Sequence, residues 1–122
     1  MRLLFDQGTP VPLRNHLPHH TVETAYERGW HDLKNGELLA RAEAEGFDAL
    51  VTTDQNLRYQ QNLAGRRIGV LVLTTTSWPR IRGDVTRVAH AIDDLHAGGY
   101  EEIAFSEMKA RLVKPSGGFP SG

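Results

Sequence analysis

The sequence predicts an α/β domain in which a mostly parallel sheet is flanked by helices. Short apolar runs typical of buried strands alternate with segments of helical periodicity, which is the pattern of a parallel sheet. Two apolar runs, Leu3–Phe5 and Ala49–Val51, lead into an acid followed by an amide, at Asp6 and at Asp54. If these runs are neighbouring parallel strands, both acids lie at the carboxyl edge of the sheet, where open α/β folds place their binding sites.

The elements follow one another along a single domain, expected to span residues 1–114. Five apolar or β-branched runs predict strands, at 2–6, 19–25, 48–53, 68–73 and 100–105. Four segments predict helices: one opened by prolines and carrying Leu13 and Leu17, one from Asn35 to Gly46, one from Gln55 to Leu63 and one over Val85 to Leu95. The tail at 115–122 is rich in Gly, Ser and Pro and is expected to be disordered.

Composition excludes several classes of site. The chain has 122 residues, of which 39% are hydrophobic and 24% charged, and this suits one compact domain with a core. It has no cysteine, so disulfides, thiolate zinc sites and cysteine nucleophiles are excluded, and any metal must be held by oxygen or histidine. The apolar stretches are too short for a membrane span and the first residues do not form a secretory signal, so we expect a cytoplasmic protein without a membrane partner.

Charge is unevenly distributed along the chain. Residues 23–54 contain eight acids and three bases, a balance of -5, whereas residues 58–87 contain six arginines and one acid, a balance of +5. An acidic region beside a basic one suits a metal site flanked by a phosphate-binding surface. The alternative interpretation is that these are ordinary solvated faces.

Three acids are candidate metal ligands. Mg²⁺ and Mn²⁺ prefer hard oxygen ligands, and Asp6, Glu37 and Asp54 follow strands or begin a helix, where such ligands converge. Glu37 also fits as a charge favoured by the dipole of its helix, and Asp54 as a turn acid or N-cap. A purely structural role explains Asp6 less well, because a carboxylate directly after a buried strand is costly unless it is paired, hydrogen-bonded or metal-bound.

Three segments of the chain resemble the PIN-like domain family of small prokaryotic proteins, which is similar to VapC-type toxin ribonucleases. The segments are Leu3–Pro10, Gly29–Leu39 and Val51–Leu57. The resemblance covers about residues 1–105 and implies a three-layer PIN-like fold. It also implies a Mg²⁺- or Mn²⁺-dependent ribonuclease in which Asp6, Glu37 and Asp54 hold the metal, and a metal-bound water attacks an RNA phosphodiester. Such a protein can be the toxin of a toxin–antitoxin pair, with an antitoxin and a second copy of itself as partners.

The chain departs from the family pattern at three positions. Gln7, Asn35 and Asn56 stand where many such domains carry further acids, and a neutral amide is a poorer ligand for Mg²⁺. A catalytically degenerate PIN-like module that binds RNA or a protein partner is therefore the alternative function. A phospho-acceptor domain of the receiver type is a third, but the lysine expected after a late strand is missing behind Leu73.

Polar side chains near the strand ends are the predicted contacts to an RNA substrate. They are Gln7, Thr9, Asn35, Asn56, Arg58, Gln60, Arg66, Arg67 and Arg80. The arginines suit phosphates and the amides suit base edges, while Tyr59 or Trp78 can offer a face for base stacking. As a group beside Asp54 these residues predict a nucleic-acid surface, although each alone also fits an ordinary polar surface.

Overall fold

The computed structural model describes residues 1–57, 63 and 65–105, and the backbone alone of Asn35. Five strands form one sheet in the order β2-β1-β3-β4-β5, and every neighbouring pair is parallel. The strands are β1 (Arg2–Phe5), β2 (Thr21–Thr24), β3 (Ala49–Thr52), β4 (Gly69–Leu73) and β5 (Tyr100–Ile103). The predicted parallel α/β architecture is confirmed, and the helices complete three layers.

Helices connect the strands along the chain. They are the 3₁₀ helix η1 (Val11–His16) and the α-helices α1 (Asn35–Ala44), α2 (Trp78–Arg82) and α3 (Val85–Asp93). Lys34, not Asn35, is the N-cap of α1. The short α2 was not predicted; it begins where the Ser77 side chain accepts a hydrogen bond from the Arg80 amide at 3.4 Å. Residues 58–62 of the predicted third helix, and the predicted tail, lie outside the described residues.

Successive strand residues alternate between the two faces of the sheet, which creates two cores. Leu3 and Phe5 of β1 point to the face covered by η1, α2 and α3. Leu4 points to the opposite face, which we call the α1 face, and packs there with Trp30 and Leu39. This alternation follows from the period of two in a strand, and burial on both sides explains the nearly unbroken apolar runs.

The strand order places a topological switch point between β1 and β3. The chain leaves β1 toward β2 on one side and leaves β3 toward β4 on the other. Connections that diverge in this way open a crevice at the carboxyl edge, and ligands of open α/β folds bind there. Asp6 directly follows β1 and Thr52 ends β3, so both lie at this crevice. Within the described ranges, no helix has the length and apolar character needed to cross a membrane.

Candidate functional site

Asp6 is held by a set of hydrogen bonds that we call the Asp6 clamp, formed with Thr9 and Thr52. Asp6 Oδ1 accepts from the Thr9 amide at 3.0 Å and lies 2.7 Å from the Thr9 hydroxyl. Asp6 Oδ2 accepts a short hydrogen bond from the Thr52 hydroxyl. Thr9 is 3% exposed, and its hydroxyl also lies 2.9 Å from the Val51 carbonyl. The clamp therefore joins the ends of β1 and β3, and the Asp6 carboxylate is largely satisfied within the protein.

Asp54 reaches the same edge through Thr52. The Thr52 hydroxyl accepts a hydrogen bond from the Asp54 amide at 3.0 Å while it donates to Asp6. The Asp54 side chain accepts from the Asn56 amide at 3.0 Å, which is the local bond of a turn acid. The structure thus brings Asp6 and Asp54 together at the carboxyl edge. The Thr52 hydroxyl lies between them and is hydrogen-bonded to the Asp6 side chain and to the Asp54 backbone amide.

Glu37 performs a capping role at the start of α1. Its Oε1 accepts a hydrogen bond from the Lys34 amide at 3.3 Å, which satisfies a backbone donor at the helix N-terminus. Glu37 is exposed, and it is not among the residues that line the cleft beside Asp6. Capping of α1 therefore explains why an acid stands at position 37.

The donor set does not fit the three-carboxylate metal site that the resemblance implies. Among the described residues, which include Asp6, Glu37 and Asp54, no group of three or more His, Asp or Glu side chains is placed to hold a metal ion. The Asp6 oxygens accept protein hydrogen bonds and Glu37 caps its helix. Binding of Mg²⁺ or Mn²⁺ stays a prediction that the geometry does not support, and no chemical step is derived from it.

A small cleft of about 170 Å³ opens beside Asp6 on the α1 face. Polar groups line one side and apolar side chains the other: Asp6, Gln7, Gly8, Ala25, Trp30, His31, Leu33 and Leu38. The floor depends on a glycine, because a Cβ at position 8 would lie 2.3 Å from Thr53 Oγ1. The cleft is smaller than the roughly 300 Å³ at which sites for drug-sized ligands begin, so it suits a group of one ring or one side chain.

His31 lines this cleft and Tyr26 contacts the His31 ring, and neither was among the residues predicted from sequence. Tyr26 is 71% exposed, and its ring lies 5.6 Å from the exposed His31 ring, centroid to centroid. Trp30, which is 8% exposed, also lines the cleft. A signal was present, because these residues follow the predicted strand at 19–25 and so belong to the same carboxyl edge as Asp6.

The predicted RNA contacts are dispersed over the structure. Gln7 and Asn56 are exposed at the carboxyl edge, whereas the Thr9 hydroxyl is used by the Asp6 clamp. Arg80 lies on α2, which packs on the face opposite the cleft. Trp78 packs against that same core and contacts the His16 ring at 5.6 Å. The Asn35 side chain, Arg58, Tyr59 and Gln60 lie outside the described residues.

Arg66 and Arg67 are not at the site. They precede β4 and therefore lie at the amino edge of the sheet, opposite Asp6. Arg66 forms an ion pair with Glu43 at 3.2 Å, and Glu43 also accepts from the amides of Arg67 and Ile68 at 2.5 and 3.3 Å. These amides and the Arg66 guanidinium hold the pKa of the Glu43 carboxyl below its ordinary value of 4.5. Contact of these two arginines with a substrate stays a prediction, and the structure places it away from Asp6.

Comparison with protein-family models, with curated proteins and with solved structures gives no match.

Proposed function

We propose that this chain is a PIN-like module that binds single-stranded RNA at the carboxyl edge of its sheet without cleaving it. One observation carries the proposal: exposed amides and exposed rings lie at the same edge of the sheet as a carboxylate whose oxygens already accept hydrogen bonds from the protein. Gln7 and Asn56 supply the amides, Tyr26 and His31 supply the rings, and Asp6 is the engaged carboxylate.

Single-stranded RNA is the ligand whose chemistry matches these side chains. Unstacked bases are recognised by aromatic rings that stack on them and by groups that hydrogen-bond to their edges. The Gln7 amide can donate and accept, and the Tyr26 ring is available to solvent. Arg80 and Arg82 are exposed on α2 and supply positive charge for the phosphates of a strand that crosses the edge.

Two properties of the edge argue against hydrolysis. Asp6 is used to join β1 to β3, and Glu37 is used to cap α1. Amides at Gln7 and Asn56 add no negative charge for a cation. Metal-dependent cleavage, a toxin role with an antitoxin, and pairing with a second copy stay predictions of the family resemblance.

The test combines binding and cleavage in one sample. Purified protein is mixed with end-labelled RNA of mixed sequence in chelator, in Mg²⁺ and in Mn²⁺; anisotropy reports binding and a denaturing gel reports chain length. We expect binding in all three conditions that weakens as salt rises, with full-length RNA throughout. Cleavage that needs metal and is lost in Asp54→Asn would contradict the proposal and support the ribonuclease. Absence of RNA binding at low salt would also overturn it.

A further inference from the structure

A second cavity, of about 330 Å³, opens at the amino edge of the sheet, and we call it the amino-edge cavity. It is lined by residues that precede β1, β3 and β4, and by Leu95 and Ala97, which follow α3. Its volume is in the range of small-molecule sites, which begin at about 300 Å³. Phe47 and Ile68, which are 4% and 2% exposed, form an apolar wall on which part of a ligand can pack.

Backbone hydrogen bonds hold the walls of the amino-edge cavity in place. The Gly69 amide donates to the Asp48 carbonyl at 2.9 Å, and the Gly98 amide donates to the Arg67 carbonyl at 2.8 Å. Gly46 lines the cavity with a φ of +85°, a conformation in which a side chain would be strained. Because this shape is built in advance, a ligand does not have to order the chain in order to bind.

The charged side chains that line the cavity differ in how fully the protein uses them. Both oxygens of Glu43 are engaged, one by Arg66 and the other by backbone amides. Asp48 Oδ2 accepts from the Arg2 amide at 2.8 Å, whereas Oδ1 has no partner among the described residues. The Arg67 guanidinium likewise forms no hydrogen bond or ion pair within the described ranges. One acceptor and one cation are thus left for a ligand.

Asp48 and Arg67 are close neighbours across the sheet. The register of β3 and β4 pairs Ala49 with Gly69, so one step back Asp48 stands opposite Ile68, next to Arg67. Both side chains are exposed, and no ion pair joins them in the part of the chain that the structure describes. Neighbouring strands are about 4.8 Å apart, so one small molecule in the cavity can contact both charges.

We propose that the amino-edge cavity binds a free α-amino acid with an apolar side chain. The ligand ammonium donates to Asp48, the ligand carboxylate accepts from Arg67, and the ligand side chain packs on the apolar wall. The combination selects the class: an amine leaves the guanidinium without a partner, a carboxylic acid leaves the Asp48 carboxylate without one, and glycine leaves the wall uncovered. The site lies at the opposite edge from the proposed RNA contacts and does not depend on them.

The test is an amide chemical-shift titration of the labelled protein, without RNA, with four compounds. Leucine carries both charges and the apolar group; glycine lacks the apolar group, isocaproate lacks the amine and isoamylamine lacks the carboxylate. Leucine should bind about fivefold more tightly than each of the others, as expected for one partly screened charge pair or one packed apolar group. The shifts should fall on Asp48, Ile68 and Ala97 and not on Gln7.

Two conservative variants assign the two charges. Arg67→Gln should weaken leucine to the affinity of isoamylamine without weakening isoamylamine, which has no carboxylate. Asp48→Asn keeps an acceptor for the Arg2 amide, and it should weaken leucine to the affinity of isocaproate without weakening isocaproate. Asp32→Asn and Arg82→Gln are equal changes of charge at exposed positions away from the cavity, and these control variants should bind leucine as the wild type does.

Three results would overturn the proposal. They are leucine binding that survives unchanged in both variants, equal affinity for leucine and isocaproate, and shifts confined to another part of the protein. Absence of shifts with all four compounds, up to the solubility of leucine, would overturn it as well. Each of these results leaves the proposed RNA binding standing, because the titration contains no RNA.

Discussion

The two edges of the sheet use their charged residues differently. At the amino edge, Glu43 is paired with Arg66 and with two backbone amides, and Arg2 reaches Glu23 at 3.4 Å. At the carboxyl edge, Asp6 is held by hydroxyls and an amide, while uncharged amides and aromatic rings stand exposed around it. The first edge is held by ion pairs within the protein, and the second presents groups suited to a ligand.

This difference shows why charge counted along the sequence does not locate the site. The acidic stretch at 23–54 and the basic stretch at 58–87 meet as the Glu43–Arg66 pair, far from the carboxyl edge. At the Glu43–Arg66 pair, the charged stretches form ordinary solvated faces, which is the alternative interpretation of the charge distribution. The carboxyl edge is distinguished by exposed polar and aromatic side chains at a topological switch point, not by net charge.

The largest effect on stability is expected from Asp6→Ala. The substitution removes the acceptor of the Thr52 hydroxyl and of the Thr9 amide, both of which lie at the junction of β1 and β3. We expect the free energy of unfolding in urea to fall by about 3 kcal/mol, since hydrogen bonds to a charged group are worth about 1.5–3 kcal/mol each.

Asp32→Ala is the control for Asp6→Ala. The Asp32 side chain is 93% exposed, so its removal should change stability by less than about 0.5 kcal/mol. If Asp6 were instead a metal ligand, Mn²⁺ would raise the midpoint of unfolding of the wild type and would leave that of Asp6→Ala unchanged. Equal stability of Asp6→Ala and Asp32→Ala, together with such a rise, would contradict the clamp.

Glu43→Gln tests the ion-paired edge. The neutral glutamine side chain cannot accept from the Arg67 and Ile68 amides and pair with the Arg66 guanidinium as the carboxylate does. We therefore expect the free energy of unfolding to fall by about 2 kcal/mol at neutral pH. RNA affinity should stay at the wild-type value, because the proposed binding surface is at the other edge. A variant of unchanged stability but weakened RNA binding would reverse the assignment of the two edges.

The stability difference between the wild type and Glu43→Gln should depend on pH. Because the pKa of Glu43 is lower in the folded protein than its ordinary value of 4.5, the unfolded chain binds more protons in that range. The Glu43 contribution is therefore fully present above about pH 4.5 and is lost as pH falls through the lower folded pKa. Thermal unfolding of wild type and Glu43→Gln at neutral and acid pH should show the gap between them closing in acid; a gap that widens would contradict the pairing.

Gly8→Ala tests the floor of the cleft. The added methyl would meet Thr53 Oγ1, so we expect a destabilisation of about 1 kcal/mol in urea unfolding. Thr53→Ala removes the obstructing hydroxyl, and the double variant should regain most of that loss. Additive losses in the double variant would mean that position 8 is constrained by something other than Thr53.

The smallest effect is expected from a pair of arginine variants. Arg82→Gln at the end of α2 should weaken RNA binding about threefold and lower its salt dependence, as expected for one lost phosphate contact. Arg67→Gln, an equal change of charge at the amino edge, should leave both unchanged. Equal effects of the two variants would indicate binding by overall charge and not by one edge.

Much of the fold could be predicted from sequence because the central strands are buried on both faces. Apart from Arg2 and Thr52 at their ends, the runs of β1, β3 and β4 contain no charged or polar side chain, and burial of nearly every residue in them explains why. The short α2 has five residues and depends on a local cap at Ser77, so it has too little periodicity to be detected.

The site could be predicted only in part. Asp6 and Asp54 were found because strand ends of a parallel sheet converge, which depends on the order of elements alone. His31, which Tyr26 contacts, was missed because its place in the cleft beside Asp6 depends on β2 pairing next to β1, and strand order is not readable from one sequence. Arg66 and Arg67 lie away from Asp54 although they follow it in the chain, because closeness along the chain does not fix the edge of the sheet on which a residue lies.

The most direct test of which edge binds is an amide chemical-shift titration of the labelled protein with short single-stranded RNA of mixed sequence in chelator. We predict that the largest shifts fall on residues at the carboxyl edge, among them Gln7, Gly8, Tyr26 and His31. The amide signals of residues at the amino edge, such as Gly46, Arg67 and Ala97, should stay unchanged. Shifts concentrated at the amino edge, or no shifts at saturating RNA, would contradict it.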